Sequence, residues 1–130
     1  MNKGQRTFSV AVIITEGEKI LLVRPKGKLF WTLPGGEIVN GETDVKAIFR
    51  QICDKKLPNA QIKTLRRYHT FCGTCQDYRG SLVTTYIAET EGSFEAGPDV
   101  DEVILSDRPL PLYLSGTARD IIENFLGKRS

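Results

Sequence analysis

The chain has 130 residues, which is enough for about one domain with a single buried core. Its 18 lysines and arginines stand against 16 aspartates and glutamates, and a net charge of +2 argues against a dedicated nucleic-acid-binding protein. No apolar run approaches the roughly 18 residues of a membrane span, and three cysteines without a disulfide framework are typical of a reducing compartment. We therefore expect a single cytoplasmic domain, residues 1–130, that binds a small molecule and no membrane, and whose oligomeric state the sequence leaves open.

Two apolar runs near the N-terminus predict a β-hairpin. The sequences TFSVAVIIT and KILLVR flank the turn signal Glu16-Gly17-Glu18. Both are apolar at successive positions, which is typical of strands that are buried on both faces. The loop that follows, PKGKLFWTLPGGEIVNG, is long for a compact domain, and loops of this length often carry function.

A helical pattern begins at Thr43, a suitable N-cap, and Pro58 is a suitable stop. Apolar residues between them follow the i, i+3, i+4, i+7 spacing of a helix that packs on a core. The pattern therefore predicts a helix over residues 43–56. Its predicted apolar face is Val45, Ile48, Phe49, Ile52 and Cys53, and its opposite face is Ala47, Arg50, Gln51 and Asp54.

Further strands and a last helix complete the pattern. The sequences QIKTLRRYHTFC and SLVTTYIAE alternate well enough to predict two strands, joined by the polar turn GTCQDYRG. A short strand over residues 103–105 and a helix over residues 117–126 follow. This order predicts an α+β fold, in which a mixed sheet packs against one early and one late helix.

The spacing of His69, Cys72 and Cys75 offers three metal-ligating side chains within one short stretch. A zinc site would need a fourth ligand, and the chain has one histidine and no second ligand pair. We interpret the thiols as parts of a strand and its turn, and metal binding by these three residues stays open as the lesser alternative.

The dipeptide Gly35-Gly36 allows the backbone a positive φ or a close approach to a neighbouring group, and the helix that follows turns its positive end toward this loop. Such a passage suits a phosphate, although Pro-Gly-Gly is also an ordinary turn. The spacing adds a stronger signal, since five residues separate Gly36 from Glu42 and seven separate Glu42 from Arg50. The segment resembles the Nudix box, the signature of hydrolases that cleave a nucleoside diphosphate linked to another group.

The lead-in LLVRPKGKLFWTLPGGEIVNGE is also similar to the entry of that family's box, and the resemblance is close over residues 20–56. It implies a Nudix-type α/β/α sandwich with a mixed β-sheet between helices. It also implies that Glu42 and Arg50 belong to the catalytic site and hold the loop against the helix. Finally, it implies Mg²⁺ or Mn²⁺ bound by the glutamates that align with Gln51, Asp54 and Lys55.

The box departs from the family pattern at those three positions. Gln51 has no charge, Asp54 keeps a carboxylate that is one methylene shorter, and Lys55 reverses the sign. At about 4 Å and an effective dielectric constant near 20, two unit charges interact by about 4 kcal/mol, so a lysine in the site opposes a divalent ion by roughly twice that. We therefore expect Asp54 to be the metal ligand and catalytic carboxylate of a degenerate box, with Mg²⁺ or Mn²⁺ bound weakly or not at all.

The expected ligand is a nucleoside diphosphate-type small molecule. The basic run before the box suits phosphate oxygens, although a solvated loop would have the same composition. The aromatic residue that follows it suits stacking on a base, although aromatic residues are more often part of a core. The predicted binding residues are Arg24, Lys26, Trp31, Gly35, Gly36 and Lys55. We expect Lys55 to supply the positive charge that the family takes from a metal.

Two functions fit these residues. The first is a Nudix hydrolase-like protein with weak or altered pyrophosphate hydrolysis, in which the acidic stretch ETEGSFEAGPDVDE either completes a metal site or is a solvated loop. The alternative is a non-catalytic nucleotide-binding or interaction module on a Nudix scaffold, since a fold does not fix a function.

Overall fold

The computed structural model describes residues 7–73, 80–107 and 113–129. Within these ranges the chain forms six strands, two α-helices and one π-helical segment. In chain order they are β1 (Thr7–Glu16), β2 (Lys19–Pro25), β3 (Gly35–Glu37), α1 (Asp44–Ile48), the π-helical segment (Phe49–Lys56), β4 (Ala60–Cys72), β5 (Ser81–Gly92), β6 (Val100–Ser106) and α2 (Gly116–Arg129).

The six strands form one mixed sheet in the order β4-β5-β1-β2-β6, and β3 also pairs with β1. Strand β1 runs parallel to β5 and antiparallel to β2 and β3. It lies at the centre of the sheet, and its residues 9–14 are all buried. The hairpin predicted from the two apolar runs is therefore present, and burial on both faces of β1 is confirmed.

Side chains of β1 divide between two cores because successive residues of a strand point to opposite faces. Val10, Val12 and Ile14 pack with α1 and the π-helical segment. Ala11 and Ile13 pack with α2 on the other face. The sheet thus lies between two helical layers, which is the expected α+β arrangement of an α/β/α sandwich.

The helix after the Gly-rich loop differs from its predicted packing. Val45 and Phe49, predicted to be core residues, are 46% and 42% exposed. Ala47 and Gln51, predicted to lie on the opposite face, are buried. The buried face is rotated because small Ala47 allows a close approach to the sheet and because Gln51 bonds the loop beside β1. The predicted packing through Val45 and Phe49 is therefore wrong.

The same helix changes its hydrogen-bonding pattern along its length. Thr43 is its N-cap, as predicted, since its Oγ1 accepts a hydrogen bond from Lys46 N at 3.2 Å. From Phe49 onward the turns are wider, and Leu57 N donates to Ile52 O, five residues back, at 2.7 Å. Wide turns of this kind often occur at functional sites.

The other elements agree with the pattern and differ at their ends. Strands β4 and β5 cover the two predicted runs. Strand β6 is longer than predicted because Val100, four residues before the paired Ile104, also pairs with β2 across an irregularity at Arg24 and Pro25. Helix α2 runs beyond residues 117–126 at both ends. Among the helices that the structure describes, none combines the length and apolarity that crossing a bilayer requires.

Candidate active site

The Gly-rich loop is clamped to the helix by an ion pair. Arg50 donates from Nε to Glu42 Oε2 at 2.7 Å and from Nη2 to Glu42 Oε1 at 3.0 Å. Glu42 Oε1 also accepts a hydrogen bond from Val39 N at 3.1 Å. The hydrogen bond from Arg50 is the main reason that the pKa of Glu42 is lowered, and it raises the pKa of Arg50 in turn. The predicted pairing of Glu42 with Arg50 is present, and both groups are ionised at neutral pH.

A second contact fixes the same loop through the carbonyl of Glu37. This oxygen accepts hydrogen bonds from Arg50 Nη2 at 3.0 Å and from Gln51 Nε2 at 3.1 Å. Gln51 lies so close to the loop that an ideal Cβ on Gly36 would be 2.5 Å from its Nε2. Gly36 therefore has a steric reason to lack a side chain, since the Gln51 amide occupies that space.

The other end of the Gln51 amide contacts a lysine. Lys56 Nζ donates to Gln51 Oε1 at 3.1 Å. The two residues are five positions apart, and the wider π-helical turns bring them onto one face. The Lys56 side chain is half-buried, and removal from water is the main reason that its pKa is lowered, while nearby Asp99 acts in the opposite direction. Sequence reasoning missed Lys56 because α-helical spacing does not pair residues 51 and 56. The family pattern closes with a glycine where this chain has Leu57, and that departure was the available signal that the end of the helix differs.

Asp54 and Lys55 occupy different surroundings. Asp54 is exposed, whereas Lys55 is half-buried. The carbonyls of Lys55 and Lys56 accept hydrogen bonds from Asp99 N at 3.1 Å and Gly97 N at 2.7 Å. A Cβ on Gly97 would lie 2.5 Å from Lys55 O, so this contact also requires glycine. Residues 97–99 thereby hold the backbone at the end of the π-helical segment.

Asp99 also connects the helix to the basic loop, because Lys26 N donates to Asp99 O at 2.9 Å. The structure thus places Lys26 on one side of residues 97–99, and Lys55 and Lys56 on the other side. Arg24 is placed differently, since its guanidinium contacts Asp101 at 3.5 Å and also bonds Glu102. Arg24 is therefore engaged by carboxylates, and it would have to release them to bind a phosphate.

Three further carboxylates of the acidic stretch have partners at the surface. Glu91 pairs with Lys63 at 3.6 Å, Glu89 accepts a hydrogen bond from Thr64 at 3.1 Å, and Glu95 accepts one from Ser93 at 3.3 Å. These positions fit the solvated loop that was one of the two interpretations of this stretch.

Trp31 lies on the other side of the sheet from Gln51. Its backbone bonds Tyr113 and Ser115, each at 2.8 Å, and its half-buried ring packs on the cluster that includes α2. On the side of Gln51 the described aromatic residues include Tyr86, whose hydroxyl donates to Asp44 Oδ2 at 3.0 Å. The structure therefore does not bring Trp31 together with Gly36 and Gln51.

The donor set does not fit a resident divalent metal. Mg²⁺ and Mn²⁺ prefer several hard oxygen ligands. Gln51 Oε1 instead accepts from an ammonium, and the carboxylate of Asp54 is exposed. Across residues 7–73, 80–107 and 113–129, no three His, Cys, Asp or Glu side chains form a group that could hold a metal. Of the His69, Cys72 and Cys75 triplet, Cys75 lies outside the described residues, and Cys72 is exposed.

A sandwich with a Gly-rich loop clamped by a Glu-Arg pair is the arrangement that the sequence resemblance implied. A nudix hydrolase family member from Chromobacterium violaceum superposes with a TM-score of 0.81 at 16% identity, covering 100% of this chain and 82% of that one. A MutT NUDIX hydrolase from Burkholderia pseudomallei gives 0.76 at 19% identity, covering 92% and 97%. The chain thus has the Nudix fold, and the resemblance is confirmed at that level.

Other structures with this fold carry more specific descriptions. A bifunctional NMN adenylyltransferase/ADP ribose pyrophosphatase from Francisella tularensis gives a TM-score of 0.78 at 18% identity, covering 100% of this chain and 43% of that one. The same protein is described in a complex with AMP and a Mn ion. No protein-family model and no curated protein matches the chain.

Proposed function

We propose that this chain is a Nudix hydrolase-like protein, a single cytoplasmic Nudix domain over residues 1–130, that binds a nucleoside diphosphate derivative. The observation that supports this most is the Gly35-Gly36 loop, clamped by Glu42 and Arg50 and flanked by lysines at the end of the helix. Neighbours in fold include an ADP ribose pyrophosphatase and a UDP-X diphosphatase, and both names describe hydrolysis of such compounds.

The proposed roles follow the positions of the side chains. Glu42 and Arg50 position the loop, and Asp54 is the carboxylate that remains for catalysis. Mg²⁺ or Mn²⁺ would bind weakly, at Asp54 and the phosphates of the ligand itself. The ligand contacts proposed from the sequence are Arg24, Lys26, Trp31, Gly35, Gly36 and Lys55, of which Trp31 requires a ligand that reaches the other side of the sheet.

We further propose that pyrophosphate hydrolysis is weak or altered. A metal-bound water is a strong nucleophile because the metal lowers its pKa, whereas a lysine supplies positive charge alone. General-base catalysis also needs a group within hydrogen-bond reach of the water, and residues 35–56 contain no histidine. The chemistry of the side chains thus favours binding over turnover.

The alternative is a non-catalytic nucleotide-binding or interaction module. The observation that favours it is the Gln51 amide, whose two ends bond Glu37 O and Lys56 where the family pattern has a carboxylate. Turnover of a panel of nucleoside diphosphate derivatives, with and without Mg²⁺ or Mn²⁺, distinguishes the two functions. Thermal shift with the same compounds tests binding, and a panel that neither shifts nor reacts contradicts both.

Restoring the family residues sharpens this experiment. The triple variant Gln51→Glu, Asp54→Glu and Lys55→Glu should bind Mg²⁺ more tightly than the wild type and show greater Mg²⁺-dependent turnover. Strong wild-type turnover at micromolar Mg²⁺ would instead mean that carboxylates outside the box complete a metal site.

A further inference from the structure

We infer that the ammonium of Lys56 is the built-in cation of this site and binds a phosphate oxygen of the ligand where the family pattern implies a metal ion. The inference deepens the proposed function and rests on it for the identity of the ligand as a diphosphate. The expectation from the sequence was that Lys55 provides this charge. We assign the charge to Lys56 instead, because the structure places its ammonium against Gln51.

The first support is the position of Lys56 beside the loop. The π-helical segment places its side chain against Gln51, and the amide of Gln51 lies directly over Gly36. The ammonium is therefore one side chain away from the glycine loop. Lys55 has no polar side-chain contact with any residue that the structure describes.

The second support is that Lys56 forms no ion pair with any carboxylate that the structure describes. A lysine ammonium has three N–H donors. One of them bonds the neutral oxygen of Gln51, and within the described parts of the chain no carboxylate lies within ion-pair distance of Lys56. The carboxylate of Asp99 is near enough to act on Lys56 but forms no ion pair with it, so this half-buried ammonium still has room for a closer anion.

The third support is the rigidity of the backbone that carries Lys56. Its carbonyl accepts a hydrogen bond from Gly97 N, and the preceding carbonyl accepts one from Asp99 N. Leu57, the next residue, is buried in the core. These contacts hold the backbone of the lysine in place before a ligand arrives, which reduces the entropy lost on binding.

Gln51 has a defined part in this arrangement. Its NH₂ group donates to Glu37 O, and its oxygen orients the ammonium. A glutamate at this position could not donate to Glu37 O, and it would pair with Lys56 as an ion. The neutral amide thus leaves the charge of Lys56 available for a ligand.

The test is calorimetric titration with ADP and with inorganic pyrophosphate, each in excess EDTA and again with Mg²⁺, at fixed ionic strength. Wild-type protein should bind both probes in EDTA, with an affinity that Mg²⁺ changes little. Lys56→Gln should weaken binding by about tenfold or more, the usual effect of losing one charge-assisted hydrogen bond. Lys56→Arg should keep part of the affinity.

Three more variants separate the effect of the charge from the effect of its position. Lys63→Gln removes the same charge from the edge strand β4 and should leave the affinity within about twofold, because Lys63 is exposed and paired with Glu91. Gln51→Glu, with Lys56 intact, should reduce binding in EDTA as strongly as Lys56→Gln does. Thermal unfolding of each variant confirms that it is folded, and Lys55→Gln shows directly which of the two lysines carries the effect.

The outcomes distinguish this inference from the proposed function. Pyrophosphate binding that depends on Lys56, without binding of any nucleoside derivative, would support the inference and contradict the function. Nucleoside derivatives that bind only with Mg²⁺, or equally well to Lys56→Gln, would overturn the inference and leave the function standing. No binding of any probe under either condition would overturn both.

Discussion

The segment from Gly35 to Lys56 has two halves, residues 35–50 and residues 51–56, which differ in how they are held together. The first half ends in a salt bridge, in which both oxygens of Glu42 accept hydrogen bonds from Arg50. The second half is held by a neutral amide and an ammonium, Gln51 and Lys56. The first half keeps the residues of the family pattern, and the second departs from them.

This difference means that one half determines the shape of the loop and the other half determines the chemistry of the site. The clamp in the first half fixes the Gly-rich loop, and that loop would be needed by an enzyme and by a binding module alike. Chemistry depends on the second half, where carboxylates of the family pattern would hold a metal. A chain can therefore keep the fold and the loop of its neighbours while it loses most of the negative charge that the family pattern has in this segment.

The largest expected effect tests the packing that joins the two halves. Ile52 is fully buried in the core, so Ile52→Ala should lower the free energy of unfolding by about 2–5 kcal/mol. Phe49→Ala should lower it by clearly less, because Phe49 is 42% exposed. Urea denaturation of both variants measures the difference, and equal losses would contradict the rotated helix face.

A smaller effect is expected from the clamp itself. Arg50→Ala removes the bonds to Glu42 and Glu37 O, which should lower the melting temperature and speed amide exchange over residues 37–43. Lys46→Ala, an exposed change on the same helix, is the matched control. Unchanged exchange in the loop of the Arg50 variant would mean that Arg50 does not hold it.

The contribution of the clamp should also depend on pH. The pKa of Glu42 is lower in the folded protein than in the unfolded chain, mainly because of Arg50. Its stabilising contribution is therefore complete above the unfolded-state value of about 4.3 and disappears as the pH falls through the folded-state pKa. The stability difference between wild type and Glu42→Gln should shrink as the pH falls below the unfolded-state value and through the lowered folded-state pKa. A difference that stays constant on acidification would contradict the ionised pair.

The smallest effect concerns the contact between the two halves. Gly36→Ala forces the Gln51 amide aside and should cost about 1 kcal/mol, roughly one hydrogen bond. Gly127→Ala in α2, where a Cβ meets open space, should instead stabilise the protein by about 0.5–1 kcal/mol. Side-chain amide signals of Gln51 in NMR spectra report the displacement. If the Gln51 amide signals were unchanged in the Gly36 variant, that would contradict the steric contact between Gln51 and position 36.

The strands and the last helix could be predicted because each has a regular apolar pattern and a clear turn at its ends. The pair of Glu42 and Arg50 could be predicted as well, since it rests on a spacing that the family shares. The packing of Val45 and Phe49 could not, because several helix faces contain enough apolar residues and only the sheet decides between them. The contact of Gln51 with Lys56 could not be predicted either, because it depends on turns wider than those of an α-helix.

The π-helical segment also affects how this chain should be aligned with proteins of the same fold. A wider turn accommodates an additional residue, so an alignment that inserts one residue in this segment differs from an alignment without gaps. The alignment without gaps places Lys55 opposite the last glutamate of the pattern, whereas the one with the insertion places Lys56 there. Searches for proteins with the same substitution should therefore allow a one-residue insertion in this stretch and look for a lysine at either position.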